Sequence, residues 1–492
     1  IMYPVLFILG TIFLLITSQS TSPLFLHTRF GFDSTMFILM GQSLLDGKTL
    51  YMDVFDHKGP ILYFIEAFAQ ILVYGKIGVF IVQIFNMFFS LVLLLKSIRI
   101  FTKSAIDICF IFFLFFLFYK FTVSEGNMTE EYCLLLSLLA LYTTLRFYFI
   151  DNKNISYWKI IILGLCFSLA FWIRPNNAGV TSACFAFIFL VTLFRRNWKL
   201  LFKETLLFVS IFIIISALIF AYFYMKAGIQ GINDMIFAYF KFNITYAQGV
   251  YFNLKSKSYM LFAFICLSSI LSLCCGSYFL YKKQKDRNIL LLAFLLIIFG
   301  ILPMCIGRTF VHYLTVILPL MPLGLLLFFA SHVHSSTMRK WYPYVFAAVV
   351  IAAIPAVVIF RWPKVFVTQD TERIALSIKK EIPVNELSDV FCYTTHPSFY
   401  LITGIKPYYK YFAIQEGLGM DAPQIYNDVD SMMSYRKPKW IVTGWNVSEK
   451  SDGIYNISFK KAIMKNYSLY KYYTCTESEF WLYKKKDPEL KK

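Results

Sequence analysis

Long apolar runs separated by shorter polar segments fill the chain as far as residue 360. A helix needs about 20 apolar residues to cross the hydrocarbon core of a bilayer, so each run predicts a transmembrane helix. The predicted spans are 1–18, 77–95, 105–121, 132–150, 160–172, 178–194, 206–224, 259–279, 289–306, 310–329 and 345–360. The pattern predicts a polytopic α-helical membrane protein with about eleven transmembrane helices.

One further apolar stretch, residues 61–74, has two interpretations. It is an additional span or a helix that lies in the membrane interface. Glu66 and Gln70 interrupt the apolar run. Because polar side chains are costly in hydrocarbon, the sequence favours the interfacial helix.

The loops between the predicted spans alternate in charge. One set is rich in Lys and Arg, and its basic clusters lie at 96–103, 146–159, 195–203, 282–287 and 339–340. Because basic loops stay in the cytoplasm, we expect the amino terminus inside the cell and everything after residue 360 outside. The richness of the chain in Lys, Ile, Asn and Phe is typical of AT-rich bacteria, so we expect a multi-pass protein of a bacterial cell membrane.

The composition becomes polar at Arg361. Beyond it, the residue patterns predict helices at 371–380 and 424–435, and strands at 389–393, 440–443 and 480–483. These elements predict a C-terminal extracytoplasmic α/β domain at 362–492, attached to a transmembrane domain at 1–361 whose first outer loop spans 19–76. Cys392 and Cys475 would either form a disulfide in the C-terminal domain or remain free thiols.

Composition excludes several classes of protein. Of the 492 residues, 58% are hydrophobic and 15% are charged, and the mean hydropathy is +0.62. A soluble domain is usually about a quarter charged, so a water-soluble enzyme is excluded. The net charge of +19 is attributed to the cytoplasmic loops, and we expect no nucleic-acid partner. The 10 cysteines show no metal-binding spacing.

Acidic and basic residues gather on the predicted outer side of the membrane. The candidates are Asp33, Asp53, Asp56, His57 and Lys58 in the first outer loop, Glu125, Glu130 and Glu131 in the second, and Arg174, Arg308 and His312 at later helix ends. Charges near the membrane boundary are costly unless they are paired or used. Carboxylates mixed with cations suit an anionic substrate and a general base.

Each candidate also has a purely structural interpretation. The structural roles are an N-cap for Asp33, solvated loop acids for Asp53 and Asp56, a headgroup contact for Lys58, helix-dipole partners for Glu130 and Glu131, interfacial anchors for Arg174 and Arg308, and a core pair for His312 and Tyr313. Individually these residues are weak signals. Their position on one face of the membrane favours a common functional site.

Several of these residues lie in motifs that resemble a known family. The motifs are Gly31–Phe37, Gly41, Asp46–Lys48, Tyr51, Asp53 and Asp56–Pro60 in the first outer loop, Arg174–Pro175, Gly307–Leu314 with Pro319, and Val390–Tyr393 with His396–Gly404 and Lys406–Pro407. They resemble the GT-C glycosyltransferases, in the bacterial branch of the aminoarabinose transferases and protein O-mannosyltransferases. The resemblance implies a GT-C-like transmembrane fold and a polyprenyl-phosphate-sugar donor.

The resemblance also implies roles for individual residues. Asp33 matches the acid that deprotonates the acceptor, and Lys58 matches the lysine that binds the donor phosphate, although Gly59 separates Lys58 from the proline. The second acid would be Glu125, with Glu130 as the alternative. Further donor-phosphate ligands would be Arg174, Arg308 and His312. Other substrate contacts would be Asp53, Asp56, His57, Glu130 and Tyr313.

The expected function is therefore transfer of a sugar from a polyprenyl-phosphate carrier to an extracytoplasmic glycan, lipid or protein, with inversion at the anomeric carbon. The expected partners are this donor, the acceptor and membrane lipid. No cofactor is required, and a divalent cation such as Mg²⁺ or Mn²⁺ is an open alternative. Two other functions remain: a polymerase or ligase of lipid-linked oligosaccharides, and a flippase or transporter of lipid-linked glycans.

Overall fold

A computed structural model describes residues 2–153, 156–248, 257–306, 308–332, 369–444, 456–474 and 479–486. The predicted span 345–360, the predicted domain boundary at 361/362 and Cys475 lie outside these residues. The two-domain division at that boundary therefore stays a prediction.

Helices dominate the described chain, as the sequence predicts. The helices are α1 Met2–Thr17, α2 Phe32–Leu45, α3 Pro60–Leu72, α4 Lys76–Phe101, α5 Ala105–Thr122, α6 Thr129–Phe149, α7 Tyr157–Ile173, α8 Gly179–Phe194, α9 Trp198–Ile236, α10 Phe242–Gln248, α11 Lys257–Gln284, α12 Asn288–Leu295, α13 Leu320–His332, α14 Gln369–Glu381, α15 Ser398–Thr403, α16 Gln415–Asp421, α17 Gln424–Tyr435 and α18 Ile457–Asn466. Shorter 3-10 or π-helical turns are Pro175–Ala178, Phe237–Lys241, Leu296–Ile301, Leu302–Cys305 and Val311–Ile317. Every predicted span up to residue 329 coincides with a helical segment.

Eight helical segments of the described chain are long and apolar enough to cross a membrane. They are Lys76–Phe101, Ala105–Thr122, Thr129–Phe149, Pro175–Phe194, Trp198–Gln248, Ser258–Gln284, Asn288–Cys305 and Val311–Ser331. Helices α1 and α7 are apolar but shorter. Helix α3 has 13 residues, or about 20 Å at 1.5 Å per residue, which is short for a span and suits the interfacial interpretation. The protein is a polytopic helical membrane protein.

The segment after the predicted span 206–224 is not a simple loop. Helix α9 continues to Ile236 and is broken at Ala227 and Gly228, where the φ of Gly228 is +58°. Glycine adopts this left-handed conformation without the steric cost that a side chain imposes. After the break, the π-helical turn Phe237–Lys241 and α10 continue the chain as helix. This segment carries residues to the candidate site described below.

Helices α11 and α13 pack closely through two small residues. A Cβ atom at Gly276 would overlap the carbonyl oxygen of Gly324, and a Cβ atom at Gly324 would overlap the backbone of Ser272. Small residues at a helix crossing let the two backbones approach, and dispersion contacts then replace the hydrophobic drive that is absent in lipid.

The C-terminal elements form a small mixed domain, as predicted. Its strands are β1 Val390–Tyr393, β2 Trp440–Thr443, β3 Tyr467–Thr474 and β4 Glu479–Lys485. They make a four-stranded sheet of order β1-β2-β4-β3, in which β1 and β2 are parallel and the other pairs are antiparallel. The predicted strands 389–393, 440–443 and 480–483 are confirmed, whereas β3 was not predicted because its side chains are mostly exposed.

The C-terminal domain directly contacts the loop between α2 and α3. The backbone N–H of Phe55 donates to the carbonyl oxygen of Lys410 at 2.9 Å, and the ring of Tyr411 lies 5.0 Å from that of Phe55. Lys406 Nζ lies 2.7 Å from Asp46 Oδ1. These contacts hold the loop that carries Asp56, His57 and Lys58 against the domain.

Replacement of Gly276 by alanine should destabilise the protein. The added methyl group would force α11 away from α13, and overpacking of this kind costs about 1–3 kcal/mol. The measurement is thermal unfolding of the purified protein in detergent. Cys275→Ala is the control, because Cys275 is the preceding residue of the same helix and is exposed. Equal melting temperatures for Gly276→Ala and Cys275→Ala would contradict the close packing.

Candidate active site

The loop that ends at Lys58 is held in place by hydrogen bonds to its backbone. Tyr51 Oη donates to the carbonyl oxygen of Lys58 at 2.7 Å, and Asn243 Nδ2 donates to that of His57 at 2.7 Å. The N–H of Gly59 donates to the carbonyl oxygen of Ile173 at the end of α7. These hydrogen bonds, which involve Tyr51 of the same loop, Asn243 and Ile173, fix the backbone around Lys58.

Asp56, His57 and Lys58 form a chain of side-chain contacts. Tyr63 Oη donates to Asp56 Oδ2 at 2.8 Å, and His57 Nδ1 lies 3.2 Å from Asp56 Oδ1. On the other side of the imidazole ring, Nε2 lies 2.8 Å from Lys58 Nζ. The ring of His57 also lies 4.9 Å from that of Tyr246. His57 contacts Asp56 through Nδ1 and Lys58 through Nε2, and it therefore orients the ammonium group of Lys58.

The pKa shifts in this chain agree with a charged lysine and a neutral histidine. Burial alone would raise the pKa of Asp56, but the charge of Lys58 and the contact with His57 hold that pKa well below its usual range. Burial and the charge of Lys58 lower the pKa of His57. Burial alone would lower the pKa of Lys58, but the charges of Asp56 and Asp33 raise it. The neutral imidazole can therefore accept a hydrogen bond from the ammonium group.

Arg174 ends α7 beside this chain. Its Nη1 lies 2.7 Å from Glu130 Oε1, and its guanidinium carbon lies 3.8 Å from the ring centroid of Tyr313. Glu130 is fully buried at the start of α6. The acid and the aromatic ring together restrict the guanidinium group, which is only 17% exposed.

Arg308 has the same kind of environment. Its Nη2 donates to Asp421 Oδ1 at 2.9 Å and to Asp421 Oδ2 at 3.2 Å, and its guanidinium carbon lies 3.7 Å from the ring centroid of Tyr246. Asp421 ends α16 in the C-terminal domain. The two arginines are therefore each held by one carboxylate and one tyrosine ring.

Lys58, Arg174 and Arg308 line one cavity of about 110 Å³. Its lining residues are His57, Lys58, Arg174, Pro175, Asn176, Tyr239, Asn243, Tyr246, Ala247, Ile306, Arg308 and Tyr313. The cavity brings these three cations together, although Lys58 and Arg308 are 250 positions apart along the chain. Within the described chain, Lys58 is the cation of this cavity that has no carboxylate within ion-pair distance.

Asp33 and Glu125 interact electrostatically with each other, and Asp33 also with Lys58, but neither acid lines the cavity. Asp33 lies in the first turn of α2, whose N-cap is Gly31, so the N-cap interpretation of Asp33 is wrong by two positions. The carboxylate of Glu125 accepts a hydrogen bond from the backbone N–H of Phe32. It lies so near Gly31 that a Cβ atom there would overlap it. Burial and the charge of Asp33 raise the pKa of Glu125 to about 7.

Four other predicted residues, Asp53, Glu130, Glu131 and His312, do not line the cavity. Asp53 is exposed and accepts a hydrogen bond from the N–H of Thr49 at 2.7 Å, which closes a turn. Glu131 accepts hydrogen bonds from the N–H of Met128, from Gln83 and from Tyr119, so its role is structural. The ring of His312 is half-buried and stacks 5.4 Å from that of Phe310. Glu130 reaches the cavity only through Arg174.

Several residues of the site were not predicted from the sequence. Those that contact its charged groups or hold its backbone include Tyr239, Asn243, Tyr246 and Asp421. The first three follow the break in α9, where an aromatic stretch in a presumed outer loop gives no indication of its direction. Asp421 lies in the C-terminal domain, and only the packing of that domain brings it to Arg308.

A metal site was an open alternative. Among the described residues, no three His, Cys, Asp or Glu side chains come close enough together to hold a metal ion. The expectation that no cofactor is required, with a divalent cation as the open alternative, stays untested.

The raised pKa of Glu125 predicts a pH-dependent stability. The folded pKa of about 7 exceeds the ordinary value of 4.5, so stability from this group is fully present below pH 4.5 and is lost as the pH rises through 7. Glu125→Gln cannot ionise and should melt higher than wild type above pH 7, by roughly 3–6 °C, and equally near pH 4.5. Melting curves from pH 4.5 to 8.5 measure this difference.

The control for this prediction is Glu479→Gln, which removes an exposed acid of β4. A difference between Glu125→Gln and wild type that is the same at every pH would contradict the assignment.

No protein-family profile and no curated protein matches the sequence. Solved structures do match it. The crystal structure of ArnT from Cupriavidus metallidurans bound to undecaprenyl phosphate matches with a TM-score of 0.62 and 12% identity, over 98% of this chain and 98% of that chain. The apo form of the same protein gives a TM-score of 0.56 and 12% identity, over 98% and 97%.

An oligosaccharyltransferase from Archaeoglobus fulgidus is more distant, with a TM-score of 0.49, 11% identity, and coverage of 97% of this chain and 74% of that chain. ArnT is an aminoarabinose transferase of the GT-C superfamily. The overall structure therefore confirms the GT-C-like fold that the motif resemblance implies.

Proposed function

We propose that this protein is a membrane glycosyltransferase that moves a sugar from a polyprenyl-phosphate carrier to an acceptor outside the cytoplasm. The observation that supports the proposal most strongly is the ammonium group of Lys58. It faces a cavity that it shares with Arg174 and Arg308, and its contact is a neutral histidine rather than a carboxylate. A cation in this state is free to bind a phosphate group.

The pairing of the cations favours a monophosphate donor. Glu130 neutralises Arg174 and Asp421 neutralises Arg308, which leaves Lys58 without a direct counter-ion in the described chain. A sugar joined to a polyprenol through one phosphate carries one negative charge, whereas a pyrophosphate linkage carries two. One uncommitted cation matches the first donor better, so the polymerase or ligase alternative is less well supported.

The position of the charges argues against a transporter. Lys58 precedes α3, Arg174 follows α7, and Arg308 precedes the 3-10 turn Val311–Ile317. All three therefore lie at helix ends. Secondary transporters place substrate-binding charges near the middle of the membrane, within broken helices.

The site has the groups that a single displacement requires. The acceptor hydroxyl oxygen attacks the anomeric carbon, and the bond from that carbon to the phosphate oxygen breaks with its electron pair on the phosphate. The hydroxyl proton passes to the carboxylate of Asp33. The phosphate gains one negative charge as it leaves, and Lys58, Arg174 and Arg308 stabilise this charge. The anomeric configuration is inverted.

The two acids of the site would have different tasks. Asp33 in its ionised form accepts the proton. Because burial and the charge of Asp33 raise the pKa of Glu125 to about 7, Glu125 keeps its proton over a wider pH range and can donate a hydrogen bond to the acceptor. We place the protein in the cell membrane of a bacterium with the site on the outer side, in agreement with the basic inner loops.

Asp33→Asn should lower kcat at least about a hundredfold, because a positioned general base contributes two to four powers of ten. The measurement is release of polyprenyl phosphate from a labelled polyprenyl-phosphate sugar, with a cell-envelope extract as the source of acceptor. Asp46→Asn is the matched control, since Asp46 ends the same helix and binds Lys406 instead. If Asp33→Asn turns over like Asp46→Asn, Glu125 is the next candidate for the base.

Lys58→Ala should raise the KM for the donor by about 10–100-fold, because it removes a charge-assisted hydrogen bond worth about 1.5–3 kcal/mol. Initial rates at varied donor concentration measure this effect. Lys48→Met is the control in the same loop, because Lys48 Nζ binds the carbonyl oxygen of Pro407 at 3.2 Å. An unchanged KM in Lys58→Ala would remove Lys58 from the donor site.

A panel of donors tests the proposed function itself. The panel contains polyprenyl-phosphate sugars and their pyrophosphate-linked counterparts. Consumption of only the pyrophosphate-linked donors by wild type would replace the proposal by the polymerase or ligase alternative. Consumption of neither, with movement of labelled lipid across a vesicle membrane, would replace it by the transporter alternative.

A further inference from the structure

Arg308 is held by groups from two different parts of the molecule. One face of its guanidinium group lies 3.7 Å from the ring centroid of Tyr246, and Nη2 bonds to both carboxylate oxygens of Asp421. Its Nε atom is buried and has no hydrogen-bond partner among the described residues. The position of this side chain therefore depends strongly on Asp421.

Asp421 lies on a well-anchored element. Helix α16 begins at Gln415, whose Nε2 donates to the carbonyl oxygen of Cys392 in β1 at 2.9 Å. The next residue, Glu416, accepts hydrogen bonds from Tyr393 of β1 and from Tyr426 of α17. These bonds fix α16 to the sheet and to α17, so Asp421 has a defined position.

Arg308 comes from a less regular part of the backbone. It follows the π-helical turn Leu296–Ile301 and the 3-10 turn Leu302–Cys305, and the residue itself is in a bend. A long side chain in such a segment loses rotamer entropy when it is ordered. A fixed carboxylate beside it removes that loss from the binding step and from the transition state.

We infer that Asp421 is a positioning residue of the donor site: the C-terminal domain holds the guanidinium group of Arg308 in the cavity through the bond from Asp421 to Nη2. The inference rests on the proposed function, in which Arg308 stabilises the charge of the departing phosphate. It gives the C-terminal domain a direct part in that site.

The experiment compares wild type with Asp421→Asn, Asp421→Glu, Arg308→Ala and the double variant Asp421→Asn/Arg308→Ala, all as the full chain in detergent or nanodiscs. Lys406→Gln is the matched control. It breaks another ion pair between the C-terminal domain and the first outer loop, with Asp46, and Lys406 does not line the cavity. Melting temperatures establish that each variant is folded.

The first readout separates kcat from KM for the donor. Asp421→Asn should lower kcat about tenfold, because Arg308 is no longer held in place. It should not raise KM for the donor, because the carboxylate that repels the donor phosphate is also lost. Asp421→Glu should keep kcat within about threefold of wild type. In the Arg308→Ala background, Asp421→Asn should have no further effect on kcat, since it acts through Arg308.

The second readout does not require turnover. Phenylglyoxal modifies guanidinium groups, and mass spectrometry follows its reaction with Arg308. Asp421→Asn should increase the rate of this labelling at least about fivefold, whereas Lys406→Gln should leave it unchanged. Undecaprenyl phosphate should protect Arg308 in wild type.

The outcomes separate the inference from the proposed function. If wild type turns over no polyprenyl-phosphate donor, the proposed function fails. The labelling experiment still tests the inference in that case, and an unchanged labelling rate in Asp421→Asn would overturn it. If wild type is active, the inference is overturned by a full kcat in Asp421→Asn, by an equal loss of kcat in the Arg308→Ala background, or by the same loss in Lys406→Gln.

Discussion

Two partly buried ion pairs determine the arrangement of the site. Arg174 with Glu130 and Arg308 with Asp421 place guanidinium groups at the edge of a membrane body, where an unpaired charge would be expensive. Each arginine also lies against a tyrosine ring, which shields it and limits its motion. Because these pairs neutralise both arginines, the cavity can hold them close to Lys58 despite the repulsion of three like charges. The charge that remains without a carboxylate partner in the described chain is then that of the lysine.

Much of this architecture could be predicted from the sequence because its determinants are local. Apolar runs identify the helices, and the motifs between them, through their family resemblance, predict Asp33 and Lys58 for one site. The same resemblance predicts Glu125 as a second acid, with Glu130 as the alternative. These residues lie beside long apolar runs, and the existence of such runs is what hydrophobic patterns establish best.

The rest of the site depends on tertiary packing that leaves no local pattern. Tyr246 and Asn243 reach the cavity because α9 is broken at Gly228, and a single glycine in an apolar run does not disclose the direction of the chain after it. Asp421 is one of several acids in the C-terminal domain, and only the docking of α16 selects it. Asp53 shows the opposite case: it lies among the motif residues, yet its carboxylate is used to close a turn with Thr49.

The docking of the C-terminal domain has a consequence for the order in which the protein becomes complete during synthesis. The bond from Arg308 to Asp421 joins residues 113 positions apart, and Phe55 near the start of the chain bonds to Lys410 near its end. Contacts between such distant residues form late, after the intervening chain has been made and inserted. A nascent chain whose transmembrane helices are already in place would therefore have an incomplete cavity until its C-terminal domain folds. This order would delay the proposed transfer reaction until the cavity is complete.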